Sequence, residues 1–423
     1  MTRPRVAIVV TGSELVRGER TDLNGPFFAQ EALSLGLEPT RIEIVGDRAE
    51  ELEDALRDGL AADICFVSGG LGPTHDDRTV ELIARVTGRP LRVDPGLEAQ
   101  IEGISRSFAE RMQRPYGDFA AGVTKQATIP EGALCLGLAG TAPGLVVDTG
   151  SCVVVALPGP PGELRRLWPR ALESEPVRRV LARGRPTSRN ILRFFGTSES
   201  AVARALADAG GDGDGVEATI CARDFEIHVD LYAEPGAGDR ARALADLLRA
   251  PLERYLFSED DRRIEEIVLE LCRERGLSLA TAESCTGGLV SGRLTAVPGA
   301  SDVFRGGVVA YSDALKTGLL GVPEAVLGEH GAASAETAAA MAAGARKKLG
   351  ASVALAVTGI AGPGGGTPEK PVGLVFLHAV GPEGERTLEF SFPGDRQAIR
   401  ARTAVAALHL VRRLLTQSRD EHA

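Results

Sequence analysis

The stretch Ala280-Thr-Ala-Glu-Ser-Cys-Thr-Gly-Gly288 joins an apolar run to a helical pattern. The apolar residues before it predict a buried strand, and the helical pattern Leu289 to Leu294 follows at once. The first backbone N–H groups of a helix have no partner within the helix, so Ser284, Cys285 and Thr286 would lie among donors that suit an anion. The turn is therefore a candidate catalytic site. The alternative is a turn whose Ser and Thr only cap the helix.

A second candidate group lies downstream. A predicted strand ends at Tyr311, and Ser312-Asp-Ala-Leu-Lys316 opens a further helix. The chain has only five lysines, and unlike arginine a lysine can lose its proton and act as a base. We therefore interpret Lys316 as a candidate general base for Ser284, with a plain surface lysine as the alternative.

These segments closely resemble the CinA C-terminal family, whose members include nicotinamide mononucleotide deamidases of the PncC type. The match includes Val357-Thr-Gly-Ile-Ala-Gly-Pro-Gly-Gly-Gly366 and Lys370-Pro-Val-Gly373, and it runs from about Asp261 to about Leu415. The resemblance implies hydrolysis of nicotinamide mononucleotide to nicotinate mononucleotide and ammonia, without a cofactor. It implies a catalytic set of Ser284 as nucleophile, Lys316 as base, and Tyr311. The predicted substrate-binding residues are Glu283, Cys285, Thr286, Gly287, Gly299, Ser301, Thr358, Gly359 and Arg396.

Two of these residues allow more than one interpretation. Glu283 either orients Ser284 or Lys316, or only completes the turn. Arg396 either holds a phosphate, or is a solvated residue beside a capping turn at Asp395. The glycine-rich loop after the predicted strand at residues 352–358 would offer backbone donors to the phosphate or ribose.

Composition limits the classes of function. The chain has 423 residues, 43% of them hydrophobic and 25% charged, which is typical of a soluble protein of two or three domains. A net charge of −10 and a pI near 5.3 argue against nucleic acid or a membrane as partner. Six cysteines without a CxxC pair indicate a reducing compartment, and neither a signal peptide nor a long apolar run is visible. These features predict a cytoplasmic protein.

Residues 1–170 alternate short Val/Ile-rich runs with helical patterns. This alternation predicts an α/β domain with a parallel sheet covered on both faces and a site at the carboxyl ends of its strands. Polar or glycine-rich loops flank the predicted strands at 11–14, 68–77, 140–144 and 157–163. Gathered at one edge, the loops would form a cradle of phosphate size.

Glycines in such loops let the backbone approach a phosphate, and carboxylates supply oxygen ligands for a divalent metal. The predicted nucleotide-site residues are Thr11, Gly12, Glu14, Asn24, Ser68, Gly69, Gly70, Gly72, Asp76, Asp77, Gly140, Thr141, Pro158 and Gly159. The predicted metal ligands are Glu14, Asp77 and Glu163. The alternative is that Asp76 and Asp77 cap a helix and the glycines form ordinary turns.

The pattern Ser-Gly-Gly-x-Gly-Pro-Thr-x-Asp-Asp-x-Thr79, preceded by Gly12-Ser-Glu-Leu15, resembles the molybdopterin-binding fold of the CinA N-terminal family. Members of that family are linked to metal-dependent ADP-ribose pyrophosphatase activity. The resemblance therefore implies a three-layer fold, a nucleoside diphosphate such as ADP-ribose as ligand, and Mg, Mn or Co as metal. Many members have Asp-Thr-Asn before the first long helix, whereas this chain has Asp22-Leu-Asn24.

Residues 171–258 are predicted to form a linker and a small α+β unit in the order strand–helix–strand–strand–helix, as in a KH-like module. Residues 185–254 carry 9 Arg and no Lys against 12 acidic groups. That balance disfavours RNA binding, so we interpret the segment as a spacer or dimerisation element.

Residues 259–423 are predicted to form a second α/β domain. The leading hypothesis is a homodimeric pyridine-nucleotide salvage enzyme with an amidase site and a pyrophosphatase site. The alternative is a nonenzymatic nucleotide or molybdopterin sensor that acts through partners.

Overall fold

The computed structural model describes residues 3–416. The chain divides into two compact units, the first comprising Met1–Ser188 and Ala233–Gly238, the second Arg189–Tyr232 and Asp239–Ala423. Among the described residues, no helix is long and apolar enough to cross a membrane.

The described part of the first unit, from residue 3 onward, contains eight helices and eight strands. They are β1 Arg5–Thr11, α1 Ser13–Val16, α2 Asn24–Ser34, β2 Glu38–Val45, α3 Ala49–Gly59, β3 Ile64–Ser68, α4 Thr79–Val86, β4 Leu91–Val93, α5 Pro95–Met112, α6 Gly117–Ala127, β5 Thr128–Pro130, β6 Leu134–Leu138, β7 Pro143–Asp148, β8 Val153–Leu157, α7 Pro161–Glu173 and α8 Glu175–Leu181. Six strands form one sheet in the order β2-β1-β3-β8-β7-β6, and β4 pairs with β5.

The large sheet is only partly parallel. Strands β2, β1, β3 and β8 run parallel, but β7 is antiparallel to both β8 and β6. The prediction of an all-parallel sheet is therefore wrong at this edge. A short turn at residues 149–152 joins β7 to β8, and such a connection can join only antiparallel neighbours.

Apolar side chains cover both faces of this sheet. Ile8 and Val10 of β1 face a cluster with Phe28 and Trp168, whereas Val9 faces the helices on the other side. A strand that is buried on both faces has a continuous run of apolar residues in its sequence, and such runs are the basis on which these strands are predicted. Helix α7 carries Trp168 and continues past the predicted domain boundary at residue 170.

The remaining strands form two further sheets, accompanied by helices. They are β9 Ser188–Phe194, α9 Glu199–Asp208, β10 Val216–Arg223, β11 Glu226–Ala233, α10 Gly238–Leu252, β12 Leu256–Ser258, α11 Ile264–Glu274, β13 Leu279–Glu283, α12 Leu289–Thr295, β14 Phe304–Val309, α13 Asp313–Leu320, α14 Glu324–His330, α15 Ala335–Leu349, β15 Val353–Gly359, β16 Leu374–Gly381, β17 Gly384–Ser391 and α16 Arg396–Thr416. The predicted strand–helix–strand–strand–helix order of the middle segment is present, with β12 added to its sheet as β10-β11-β9-β12.

The last sheet has the order β14-β13-β15-β16-β17 and positions the C-terminal site. Strand β13 is parallel to β14 and β15, so Glu283, Val309 and Gly359 end their strands at the same edge. Helix α16 packs against this sheet through a buried stripe that includes Leu408 and Val411. The turn after β13 therefore meets the loops after β14 and β15.

Candidate active site

Glu283 is fully buried at the end of β13 and accepts four hydrogen bonds. Its carboxylate receives the N–H groups of Gly288 at 2.9 Å, Val290 at 3.1 Å and Ser291 at 2.8 Å, and the Ser291 hydroxyl at 2.6 Å. Of the two interpretations of Glu283, completion of the turn is therefore the one observed. The start of α12 is not an open anion site, because a carboxylate of the protein already occupies its donors.

Two amides next to Ser284, the backbone N–H groups of Cys285 and Thr286, lack an oxygen acceptor in the described part of the chain. Of these two residues only Cys285 lines the same cavity as Ser284. Arg400 of α16 donates to the carbonyl oxygens of Cys285 at 3.1 Å and Thr286 at 2.7 Å. In a planar trans peptide the C=O and N–H groups point in opposite directions, so holding the Cys285 carbonyl also fixes the Thr286 N–H. Gly287 permits this turn with a φ of 59°, and a Cβ there would lie 3.2 Å from Arg400 Nη2.

Lys316 is buried, with 2% of its surface exposed. Its Nζ donates to the carbonyl of Tyr311 at 3.4 Å and to Asp313 Oδ1 at 3.2 Å. Ser312 caps α13 by accepting the N–H of Leu315 at 3.3 Å, so the helix start fixes the place of the lysine. The interpretation as a surface lysine is therefore wrong. Asp313 was not predicted, although its position three residues before the lysine is the spacing of a helical ion pair.

Ser284 and Lys316 line one cavity of about 380 Å³. The other predicted residues in its lining are Cys285, Tyr311, Thr358, Gly359 and Arg396. The predicted residues outside the lining are Glu283, Thr286, Gly287, Gly299 and Ser301. Gly299 and Ser301 belong to the connection between α12 and β14, where Gly299 adopts a φ of 76° and Ser301 is exposed.

Arg396 lies at the start of α16 and contributes to the cavity. It donates to the carbonyl of Gly362 at 2.7 Å and to the Tyr311 hydroxyl at 2.6 Å. Asp395 also caps this helix by accepting the Ala398 N–H at 2.8 Å. The capping turn is thus present, and the arginine next to it still faces the cavity.

Lys370 is a further cation of the cavity, and the sequence interpretation gave it no role. Its Nζ donates to the carbonyls of His330 at 2.6 Å and Ala333 at 2.7 Å. Thr358 holds the same segment by donating to the Ala332 carbonyl at 2.6 Å. Besides the candidate base Lys316, Lys370 and Arg396 thus give the cavity two cationic side chains, which favour a ligand with a phosphate.

Burial gives the two adjacent nucleophile candidates, Ser284 and Cys285, different reactivities. Burial, with the nearby Glu283 carboxylate, raises the pKa of the Cys285 thiol to about 12. A thiol reacts as its thiolate, so Cys285 is almost entirely unreactive at neutral pH. Ser284 needs only a base that accepts its proton during attack.

The first unit brings its predicted loops together. Asn24 Nδ2 donates to Ser68 Oγ at 2.8 Å and to the carbonyl of Gly159 at 2.7 Å, which links the loops after β3 and β8. Gly69 has a φ of 101°, and a Cβ there would lie 2.4 Å from the carbonyl oxygen of Thr11. Only glycine permits this approach between the ends of β1 and β3.

Other predicted residues support the same loops. Gly70 has a φ of 65°, and the Ser68 hydroxyl is 3.5 Å from the carbonyl of Pro158. Gln126 was not predicted, but its side-chain amide reaches Thr141 Oγ1 at 3.4 Å. Asp76 is exposed, and hydrogen bonding from Thr74 lowers the pKa of its carboxyl group.

The predicted metal ligands are not brought together. Each carboxylate instead lies against a glycine: a Cβ would fall 3.0 Å or less from a carboxylate oxygen in the pairs Gly12 with Glu14, Gly72 with Asp77, and Gly140 with Glu163. Asp77 also accepts the Thr74 N–H at 2.9 Å. Within residues 3–416 no group of three His, Cys, Asp or Glu side chains could hold a metal ion. The predicted cluster of three carboxylates is therefore not formed by the described side chains: Asp77 bonds within its own loop, and Glu163 lies against the separate loop at Gly140.

Comparisons with known proteins match both units. The CinA C-terminal domain model matches residues 261–415, and the model described as a probable molybdopterin binding domain matches residues 7–176. A crystal structure of a competence/damage inducible protein from Agrobacterium tumefaciens is 42% identical, with a TM-score of 0.35, and covers 37% of this chain and 99% of its own.

Two curated relatives cover almost the whole chain. A CinA-like protein of Mycolicibacterium gilvum is 43% identical over 419 residues, 97% of this chain and 99% of its own length. A CinA-like protein of Mycobacterium tuberculosis is 44% identical over 423 residues, 97% of each chain. With both domain models matched in order, the chain belongs to the CinA family.

Proposed function

We propose that the cavity around Ser284 is an amidase site that converts nicotinamide mononucleotide and water to nicotinate mononucleotide and ammonia. The observation that carries the proposal is that a lysine with 2% exposure lines the same cavity as Ser284. A lysine is seldom buried unless it is paired or has a chemical role. The side chain of its partner Asp313 remains 63% exposed, so solvent screens this ion pair. The ion pair alone therefore does not explain why the lysine amine is buried.

The groups of the cavity can perform both halves of amide hydrolysis. Neutral Lys316 accepts the proton of Ser284 Oγ as that oxygen bonds to the carboxamide carbon. The ammonium then returns the proton to the amide nitrogen, the C–N bond breaks, and ammonia leaves an acyl ester on the serine. Water, deprotonated by the same lysine, attacks the ester, and the ammonium returns that proton to Ser284 Oγ as the ester C–O bond breaks. The acid that is released ionises to nicotinate.

The tetrahedral oxyanion needs donors next to the nucleophile. We assign this role to the N–H group of Cys285, because Cys285 lines the cavity beside Ser284 and its N–H donates to no oxygen atom among the described residues. Preorganised backbone donors of this kind act mainly on the transition state. The phosphate of the substrate would bind the cationic side chains Arg396 and Lys370.

Arg400 is proposed as a positioning residue, because it holds the two carbonyls of this turn. Arg400→Met should lower kcat about 10- to 100-fold and leave KM within about twofold, since the loss concerns donors that act in the transition state. Arg402→Met is the matched control, because Arg402 lies on the same helix and donates instead to the Pro393 carbonyl. Steady-state ammonia release tests this, and an increase in KM at constant kcat would contradict it.

The test of the main proposal is direct. Purified protein is incubated with nicotinamide mononucleotide, and ammonia and nicotinate mononucleotide are quantified together with binding. Both products should form in equal amounts without added metal. Binding with no product would instead favour the nonenzymatic sensor.

For the first unit we propose binding and hydrolysis of ADP-ribose. The link from Asn24 to the loops after β3 and β8 supports a nucleotide cradle. The described side chains do not form a three-carboxylate metal centre, so the activity is tested with and without Mg, Mn or Co.

Asp77→Ala should remove most ADP-ribose cleavage and leave deamidation within about twofold of wild type. The physical reason is that Asp77 holds its glycine loop through Thr74, whereas the amidase residues belong to the other unit. AMP release is measured with Mg²⁺, Mn²⁺ or Co²⁺ and with EDTA. Equal loss of both activities in a folded variant would contradict two separate sites.

A further inference from the structure

A second cavity in the Arg189–Ala423 part of the chain is rich in arginine. Its volume is about 570 Å³, and it lies where Arg254 and Tyr255 follow α10, Arg386 lies on β17, and Arg413 lies on α16. It shares no lining residue with the cavity around Ser284. The proposed amidase chemistry therefore gives it no role.

The three guanidinium groups have no carboxylate partner among residues 3–416. Arg193 shows the contrast, since its Nη2 contacts Asp230 at 2.9 Å and Asp261 at 2.7 Å. Glu385 also lines the arginine-rich cavity, and its carboxylate contacts His378 Nε2 at 3.5 Å. Three guanidinium groups against one carboxylate leave the lining of the cavity net positive.

The arrangement brings like charges together. Burial lowers the pKa of Arg413, and the charge of Arg386 lowers it further. A bound anion would have the opposite effect, because an opposite charge favours the charged form of a guanidinium group. The cavity is therefore electrostatically prepared for a negative ligand.

Aromatic rings hold two of the arginines in place. The guanidinium carbon of Arg254 lies 4.6 Å from the centre of the Tyr255 ring, and that of Arg413 lies 5.7 Å from the centre of the Phe195 ring. When the face of a guanidinium group lies over an aromatic ring, the N–H groups at its edge can still bind a planar or tetrahedral anion. Arginines that are already ordered lose less entropy when they bind a phosphate.

We propose that this cavity binds a small phosphate-bearing anion, either pyrophosphate or a nucleotide of mononucleotide size. Its volume lies within the range of small-molecule pockets. Long nucleic acid is disfavoured because the whole chain carries a net charge of −10.

Titration calorimetry with pyrophosphate and separately with AMP tests the proposal on the full chain. Because the other two proposed sites also bind phosphates, the measured quantity is the number of binding sites per chain. The double variant Arg386→Gln/Arg413→Gln should bind one equivalent fewer than wild type. Arg242→Gln, which removes an exposed arginine paired with Asp239, is the control and should change nothing.

The two ligands distinguish the sources of phosphate. If the double variant binds one equivalent of pyrophosphate fewer than wild type but the same amount of AMP, the cavity is a site for inorganic anions. If it binds one equivalent of AMP fewer, the cavity is a nucleotide site. If the double variant does not fold, the Arg254→Gln variant replaces it, because Arg254 is exposed. This substitution should weaken the binding affinity at the same site about tenfold. Unchanged stoichiometry and affinity in folded variants overturn the proposal. The proposal is also overturned if the only effect of the substitutions, measured by sedimentation, is the dissociation of a dimer.

Discussion

Ser284→Ala should abolish the release of ammonia from nicotinamide mononucleotide, with kcat falling by about three orders of magnitude or more. The serine oxygen forms the bond to the carboxamide carbon in the proposed reaction, and the neighbouring thiol cannot replace it because its pKa is raised to about 12. Single-turnover ammonia release at saturating substrate measures the loss. Substrate binding should persist, since the cationic side chains of the cavity are unchanged.

Cys285→Ala is the matched control for that experiment. The thiol is 5% exposed and packs in the core cluster of this unit, so its removal should reduce stability slightly and keep kcat within about threefold. The proposed contribution of this residue is its backbone N–H, which alanine retains. An inactive Cys285→Ala together with an active Ser284→Ala would make the protein a thiol amidase.

The sequence predicted the parts of this site that depend on local pattern. The strand before Ser284, the helix start at Ser312 and the strand before Thr358 all have periodicity or capping signals of their own. Parallel strands then bring their carboxyl ends together, which is why the nucleophile and Lys316 could be placed near each other.

Contacts between distant segments could not be predicted. Arg400 reaches the turn after Ser284 from a helix 115 residues further along the chain, and no local signal distinguishes it from Arg402. The role of Glu283 depended on the path of the turn, because a carboxylate beside a helix start can satisfy its N–H groups or leave them to a ligand. Side-chain direction decides such cases, and it follows from packing.

The N-terminal carboxylates show the same limit. The loops that carry Glu14, Asp77 and Glu163 were predicted to meet at one edge of the sheet, but residue type did not show which way each oxygen would turn. Local hydrogen bonds decide this for Asp77, which bonds to Thr74 within its own loop. A count of carboxylates near glycine loops therefore does not show whether their oxygens converge on one point.

Lys316 is the residue whose chemistry most sharply separates the proposed mechanism from simple binding. As a base it must present a neutral amine to Ser284 and then carry the proton to the leaving nitrogen. As an electrostatic anchor it would only need its positive charge. Its burial and its contact with Asp313 are compatible with either role, so the two must be separated by substitution.

Lys316→Arg should be nearly as inactive as Lys316→Ala, each losing about three orders of magnitude in kcat, because a guanidinium keeps the charge but does not give up its proton. Lys370→Arg is the matched control: this lysine lines the same cavity and donates to two carbonyls, so its replacement should mainly change KM. Thermal unfolding verifies that each variant is folded, because arginine is larger than the buried lysine. If folded Lys316→Arg retained wild-type turnover, Lys316 would be an anchor for charge, and another group would have to take the proton from Ser284.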